Sequence, residues 1–164
     1  MTGCQVSMLV TVINRQNCRQ PERLYRNLRE QGIPNLQFIP LQEHDNPESV
    51  TDRQWGAFLV AVFDVWVRED IGRICVQLFE ETKDIWAGNP TKPDAFALSG
   101  ECQSCRVRSL CYRDTEQRIE SKSALCAGYQ AFFRHSAPHM RVMRDLIRYH
   151  RSPVELMALL RQSQ

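Results

Sequence analysis

Between residues 5 and 86 the chain alternates short apolar runs with amphipathic ones, and that order confines it to an α/β fold. Gln5 to Ile13 reads QVSMLVTVI, and both alternate sets, Val6/Met8/Val10/Val12 and Leu9/Thr11/Ile13, are largely apolar. A strand apolar on both faces suits a parallel sheet covered by helices. Leu36 to Ile39 reads as a second strand ended by Pro40, and Arg73 to Phe79 (RICVQLF) as a third. Between the first two, Pro21 suits a first helical position, Leu24, Tyr25 and Leu28 make an apolar stripe, and Gly32 is placed to stop the helix. Thr51 and Gln54 match a capping box. Behind them Trp55, Leu59, Val62 and Trp66 recur at helical spacing, widened by Phe58 and Phe63, and Glu80 to Trp86 reads as a short helix. Strand–helix repeats of this kind imply right-handed parallel βαβ units. Three strands cannot close a barrel. The α/β part, over 1–90, is therefore either a small open parallel sheet or a fragment of something larger, followed over 91–164 by a cysteine-rich module with a helical tail. Exposed strand edges invite pairing, so a dimer or a complex with another chain is expected.

The cysteine-rich module runs from Glu101 to Phe133. Cys102, Cys105 and Cys111 form a C-x2-C-x5-C run, and Cys126 follows fifteen residues later. Four thiolates can close a tetrahedral zinc site or hold a cubane iron–sulfur cluster, and spacing alone leaves both open. Cys4, Cys18 and Cys75 read as small packed hydrophobes. Asp64 and Asp70 read as capping or solvent-facing groups, and His44, His135, His139 and His150 as loop or surface residues. After the module, helices are expected from Cys126 to Arg134, from about Pro138 to His150, and from a capping box at Ser152-Pro153-Val154-Glu155.

Composition narrows the classes of function. Of the 164 residues 43% are hydrophobic and 24% charged, and the net charge is +2, which points to no particular partner. No stretch approaches the ~20 apolar residues of a membrane span. Seven cysteines, an odd number without a secretory signal, point to a reducing, cytoplasmic setting. One charge pattern stands out. Arg141, Arg144, Arg148 and Arg151 recur at helical spacing on one face. Such a stripe can bind phosphates. It supplies an alternative reading, a DNA-binding regulator whose cysteines sense redox state or metal; the ordinary reading is a solvated face whose arginine stems cover the core.

The residues also resemble a known family. VTVINRQN (10–17), LYRNLREQGI (24–33), LQFIPL (36–41), WGAFLVAVFDVWVREDIG (55–72), VQLFEE (76–81), ECQSCRVRSLC (101–111) and LCAGYQAFF (125–133) are similar to the C-terminal half of the anaerobic sulfatase-maturating enzymes. These are radical S-adenosylmethionine enzymes with a cysteine-rich SPASM extension. The resemblance implies that residues 1–90 are a partial parallel (βα) barrel fragment and that Cys102, Cys105, Cys111 and Cys126 correspond to ligands of a second auxiliary [4Fe–4S] cluster; on ligand type alone zinc is the alternative occupant. It also implies a chain without independent catalysis that is either an accessory protein with a sulfatase or another protein of that maturation system as partner, or a gene remnant. Two departures matter. The C-x3-C-x2-C motif that carries the family's catalytic cluster does not occur in this sequence, so the chain is expected to begin in mid-barrel and to bind no S-adenosylmethionine. Thr115 stands where the family's run has a further cysteine, and the stretch that carries the family's catalytic Cys-Asp pair is replaced by a linker from Gly88 to Gly100.

Overall fold

A computed structural model describes residues 7–89, 100–111 and 123–163. Cys4, Thr115 and most of the Gly88–Gly100 linker lie outside them. β1 (Leu9–Ile13) pairs in parallel with β2 (Asn35–Pro40), in a register that sets Leu9 against Leu36 and Ile13 against Pro40. β2 pairs in parallel with β3 (Cys75–Val76), giving the order β1-β2-β3. The expected α/β class with a parallel sheet is what the chain adopts.

Among the described residues the sheet is covered on one face only. Ile13, Leu36, Phe38 and Val76 are buried, while Val10, Val12 and Ile39, on the opposite face, are 48%, 49% and 38% exposed. The two-faced apolar pattern of β1 therefore does not reflect two covered faces among the described residues.

α1 (Pro21–Glu30) starts on its proline and ends just before Gly32, whose φ of 74° is the left-handed conformation that closes a helix without strain. α2 (Asp52–Glu69) opens on the expected capping box. The Thr51 hydroxyl accepts from the Gln54 amide at 3.2 Å, and the Gln54 side chain accepts from the Thr51 amide at 3.0 Å. Trp55, Phe58, Leu59, Val62, Phe63 and Trp66 are all buried at 1% exposure or less. The Trp66 indole N–H donates to the Ile74 carbonyl at 2.8 Å, fastening the end of α2 to the approach of β3.

The third strand is much shorter than its apolar run. Gln77 already begins α3 (Gln77–Trp86). The run is too short for periodicity to separate strand from helix, and packing decides: Leu78, Phe79, Thr82 and Lys83 fall on one buried helical face. Phe79 meets Phe63 edge-on at 5.3 Å and stacks on Phe132 at the same separation.

After α4 (Gly100–Gln103), a single long helix, α5 (Cys126–Arg148), replaces the two expected ones. Pro138 lies inside it. Proline removes one amide donor and crowds the carbonyl four residues earlier, that of Arg134. Both residues are exposed, so water can satisfy that carbonyl. Phe132 and Phe133 before the proline, and Met140, Met143 and Leu146 after it, are buried against the same core and keep the helix continuous. α6 (Glu155–Gln162) lacks the anticipated capping box: the Ser152 hydroxyl accepts from the Val154 amide at 3.3 Å, while Glu155 pairs with Arg151. One hydrophobic cluster joins the sheet, α2, α3, α5 and α6, from Ile13 to Leu156.

Candidate metal centre

The cysteines are positioned by a short helix, a turn and a long helix. Cys102 lies in α4 and is 7% exposed. The chain then turns tightly, with the Cys105 amide donating to the Cys102 carbonyl at 3.3 Å and the Arg108 amide to the Cys105 carbonyl at 3.2 Å. A 3-10 turn, Arg108–Leu110, delivers half-buried Cys111. Cys126 is the first residue of α5, its amide donating to the Ser123 carbonyl at 3.0 Å.

Cys102, Cys105 and Cys126 line one open cavity of about 620 Å³, together with Arg106, Gln130 and Arg134. Gln130 lies one turn after Cys126 on α5. Its amide nitrogen is 3.2 Å from the Cys126 sulfur and 4.0 Å from the Cys105 sulfur. Three of the four expected ligands thus share a wall, and their soft thiol donors suit iron–sulfur or zinc chemistry. Cys111 is not part of that wall. Among the described residues no group of three or more His, Cys, Asp or Glu side chains is close enough to hold a metal ion. The thiol donors suit a thiolate-bound group in type, but the described residues do not bring the four sulfurs together around one.

Other singled-out residues fall elsewhere. Cys18 is buried as expected, whereas Cys75 is disulfide-bonded and not the free packed thiol anticipated. The arginine stripe is divided. Arg144 donates to Asp145 at 2.9 Å and lies over the Trp86 ring at 5.7 Å, and Arg151 pairs with Glu155. Arg141 and Arg148 are exposed.

Asp70, expected to cap or face water, is fully buried. The Tyr25 hydroxyl donates to it at 2.8 Å, and the Arg29 and Arg73 guanidinia meet it at 3.0 and 2.6 Å. Burial foremost, and then the Asp70 carboxylate, push the Tyr25 phenol above its ordinary value. Beside it Glu69 receives Arg26 and Arg29, and the hydrogen bond from Arg26 foremost holds its carboxyl down at about 2. The Asp64 carboxylate accepts from the Nε2 of exposed His135 at 2.7 Å, joining α2 to α5. His139, one turn along, is held below its ordinary value chiefly by burial.

Sequence reasoning also missed the Glu80–Lys83 ion pair on α3, whose side chains are 8% and 6% exposed as residues. Burial pushes the Glu80 carboxyl up. Three-residue spacing on a helix was the available signal.

No protein-family model matches the chain. It is 43% identical over 171 residues to the uncharacterized protein YidF of Escherichia coli (strain K12), across 98% of this chain and 100% of YidF.

The chain belongs to the YidF family.

The YidF-type chain is also homologous to part of the anaerobic sulfatase-maturating enzymes. It is 21% identical over 235 residues to a serine-type anaerobic sulfatase-maturating enzyme of Bacteroides thetaiotaomicron, across 93% of this chain and 57% of that enzyme. It is 29% identical over 105 residues to a cysteine-type enzyme of Clostridium novyi (strain NT), across 59% of this chain and 27% of that enzyme. Among solved structures, native anSMEcpe with bound AdoMet superposes with a TM-score of 0.68 at 16% identity, across 85% of this chain and 57% of that one. The fold is thus that of a fragment of the radical S-adenosylmethionine fold, consistent with the C-terminal part of these enzymes. The chain spans little more than half the length of the Bacteroides enzyme and of anSMEcpe, and about a quarter of the Clostridium novyi enzyme. Among the described residues no helix is long and apolar enough to cross a membrane.

Proposed function

We propose that this YidF-family chain is an accessory protein of sulfatase maturation that carries one [4Fe–4S] cluster on Cys102, Cys105, Cys111 and Cys126 and performs no S-adenosylmethionine chemistry alone. The observation that carries this reading is the shared wall: Cys102 and Cys105, from one segment, and Cys126, from another, line one cavity. A cubane held by four thiolates can move electrons or brace a fold, with no open iron for substrate. Residues 91–164 act as the cluster-bearing module and residues 1–90 as a barrel-like platform. The reading places the protein in the cytoplasm, with a sulfatase or another maturation protein as partner and a dimer or mixed complex as its working form. Zinc is the alternative occupant.

The cysteines can be tested one at a time. Alanine at Cys102, Cys105, Cys111 or Cys126 should abolish the cluster and lower the stability of the helical tail together, because binding and folding are coupled. Cys18→Ala should leave the cluster in place. Equal cluster content in all five variants would refute the assignment. The reconstituted protein should release no 5'-deoxyadenosine from S-adenosylmethionine. Release that disappears in the cysteine variants would overturn that part of the proposal.

The DNA-binding reading is not favoured. Arg144 is held over Trp86 and Arg151 by Glu155, so the stripe does not present four available cations.

A further inference from the structure

We infer that His139 is a pH-sensitive latch between α2 and α5: the closed interface accommodates its neutral ring, and protonation loosens the second half of α5 from α2. This stands apart from the cysteine reading above. The interface runs in the same direction along both helices. It begins at the close approach of Gly56 and Gly128 and passes through Asp64 and His135, whose carboxylate and Nε2 meet at 2.7 Å. His139 follows His135 by one helical turn, and there Arg68, one turn past Asp64, acts on it. The half-buried His139 ring meets the fully buried Phe63 ring edge-on at 5.7 Å.

The surroundings suit the neutral ring only. Its Nδ1 is buried and meets no hydrogen-bond partner among the described residues. An imidazolium donates from both nitrogens. Protonation would therefore leave a charged donor buried without an acceptor, which is costly. The neighbouring charges act in the same direction on balance. His135 on α5 and Arg68 on α2 oppose a further cation, while Asp64 on α2 favours one, and the Asp64 Oδ1 already accepts from His135. α3 and α6 also pack on α5 and supply none of these charges. Burial foremost, then His135 and Arg68, hold the ring below its ordinary value of 6.5. A folded value below the unfolded one contributes stability that is present above pH 6.5 and lost as pH falls below it.

The test uses the full chain and two readouts over about pH 8 to 5. NMR titration of the four histidine rings, with His139 assigned by its loss in His139→Gln, reads the ring itself. Protection of the α5 amides against hydrogen exchange, corrected for the intrinsic pH dependence of exchange, reads the interface. His139 should titrate below 6.5, and protection over 133–148 should fall with it, by at most about tenfold per pH unit, the slope of one proton. Gln at 139 cannot take the proton, so His139→Gln should keep level protection across that window, whatever its stability at the alkaline end. Arg68→Gln removes one opposing cation and should move the His139 titration upward. A His139 ring that titrates at or above 6.5 would overturn the inference. Protection that falls equally in wild type and His139→Gln would overturn it too.

Discussion

Gly56 of α2 and Gly128 of α5 touch backbone to backbone. A Cβ on Gly56 would fall 2.9 Å from the Gly128 Cα, and one on Gly128 would fall 2.3 Å from the Asp52 carbonyl oxygen and 3.0 Å from the Gly56 nitrogen. Neither helix can approach this closely with a side chain at the crossing. α2 and α5 share the most extensive helix–helix interface of the described residues. Cys126 lies half a turn before Gly128, so the crossing also sets where α5 presents its thiol.

Gly128→Ala should therefore destabilise the protein by about 1–3 kcal/mol or more, the usual cost of forcing added volume into a packed contact. Thermal denaturation followed by circular dichroism checks this. Gly100→Ala, where an added Cβ meets nothing within 4 Å, is the control and should be close to neutral.

The buried Glu80–Lys83 pair predicts an asymmetric result. Lys83→Met leaves the Glu80 carboxyl buried without its cation, a loss of about 3–5 kcal/mol where such a pair is broken from one side. Because burial already pushes Glu80 up, protonation relieves part of that loss, and the low end of the range is expected at acidic pH. The double variant Glu80→Leu/Lys83→Met should recover most of the stability in urea unfolding. A double variant no more stable than Lys83→Met would contradict this account of the pair.

Glu69 predicts part of the acid limb. Its carboxyl sits at about 2 in the folded protein, held down first by Arg26, against an ordinary value of 4.5. A folded value below the unfolded one stabilises above pH 4.5, and that stabilisation is lost as pH falls from 4.5 towards 2. Glu69 is 38% exposed in its side chain, so solvent screening limits the effect to under ~1 kcal/mol. Glu69→Gln should flatten the stability profile across that window and leave the slope above pH 5 unchanged, as read by urea midpoints against pH.

The sequence was most legible where local chemistry and periodicity agree. The Thr51–Gln54 box, the proline start of α1 and the aromatic face from Trp55 to Trp66 all fold as their residues direct. It was least legible where tertiary packing decides. RICVQLF reads as strand, yet Leu78 and Phe79 gain more by joining Phe63 and Phe132 from a helix. Pro138 reads as a break, yet its exposed position and the buried residues on either side hold α5 together. Asp70 reads as a capping or solvent-facing group because two of its partners, Tyr25 and Arg29, come from distant chain. For the candidate site, the four cysteines were visible by spacing. The contacts of Gln130 were not, because the one with Cys105 depends on a turn that brings that residue to the side of α5.

The central claim is tested most directly by iron and acid-labile sulfide analysis of the full chain purified without oxygen. The account predicts a brown protein with iron and sulfide in matched amounts, about four of each per chain. A colourless protein with one tightly held zinc would contradict the iron assignment while keeping the site. A metal-free protein, equally stable with Cys102, Cys105, Cys111 and Cys126 all replaced, would contradict the claim that these residues form a site at all.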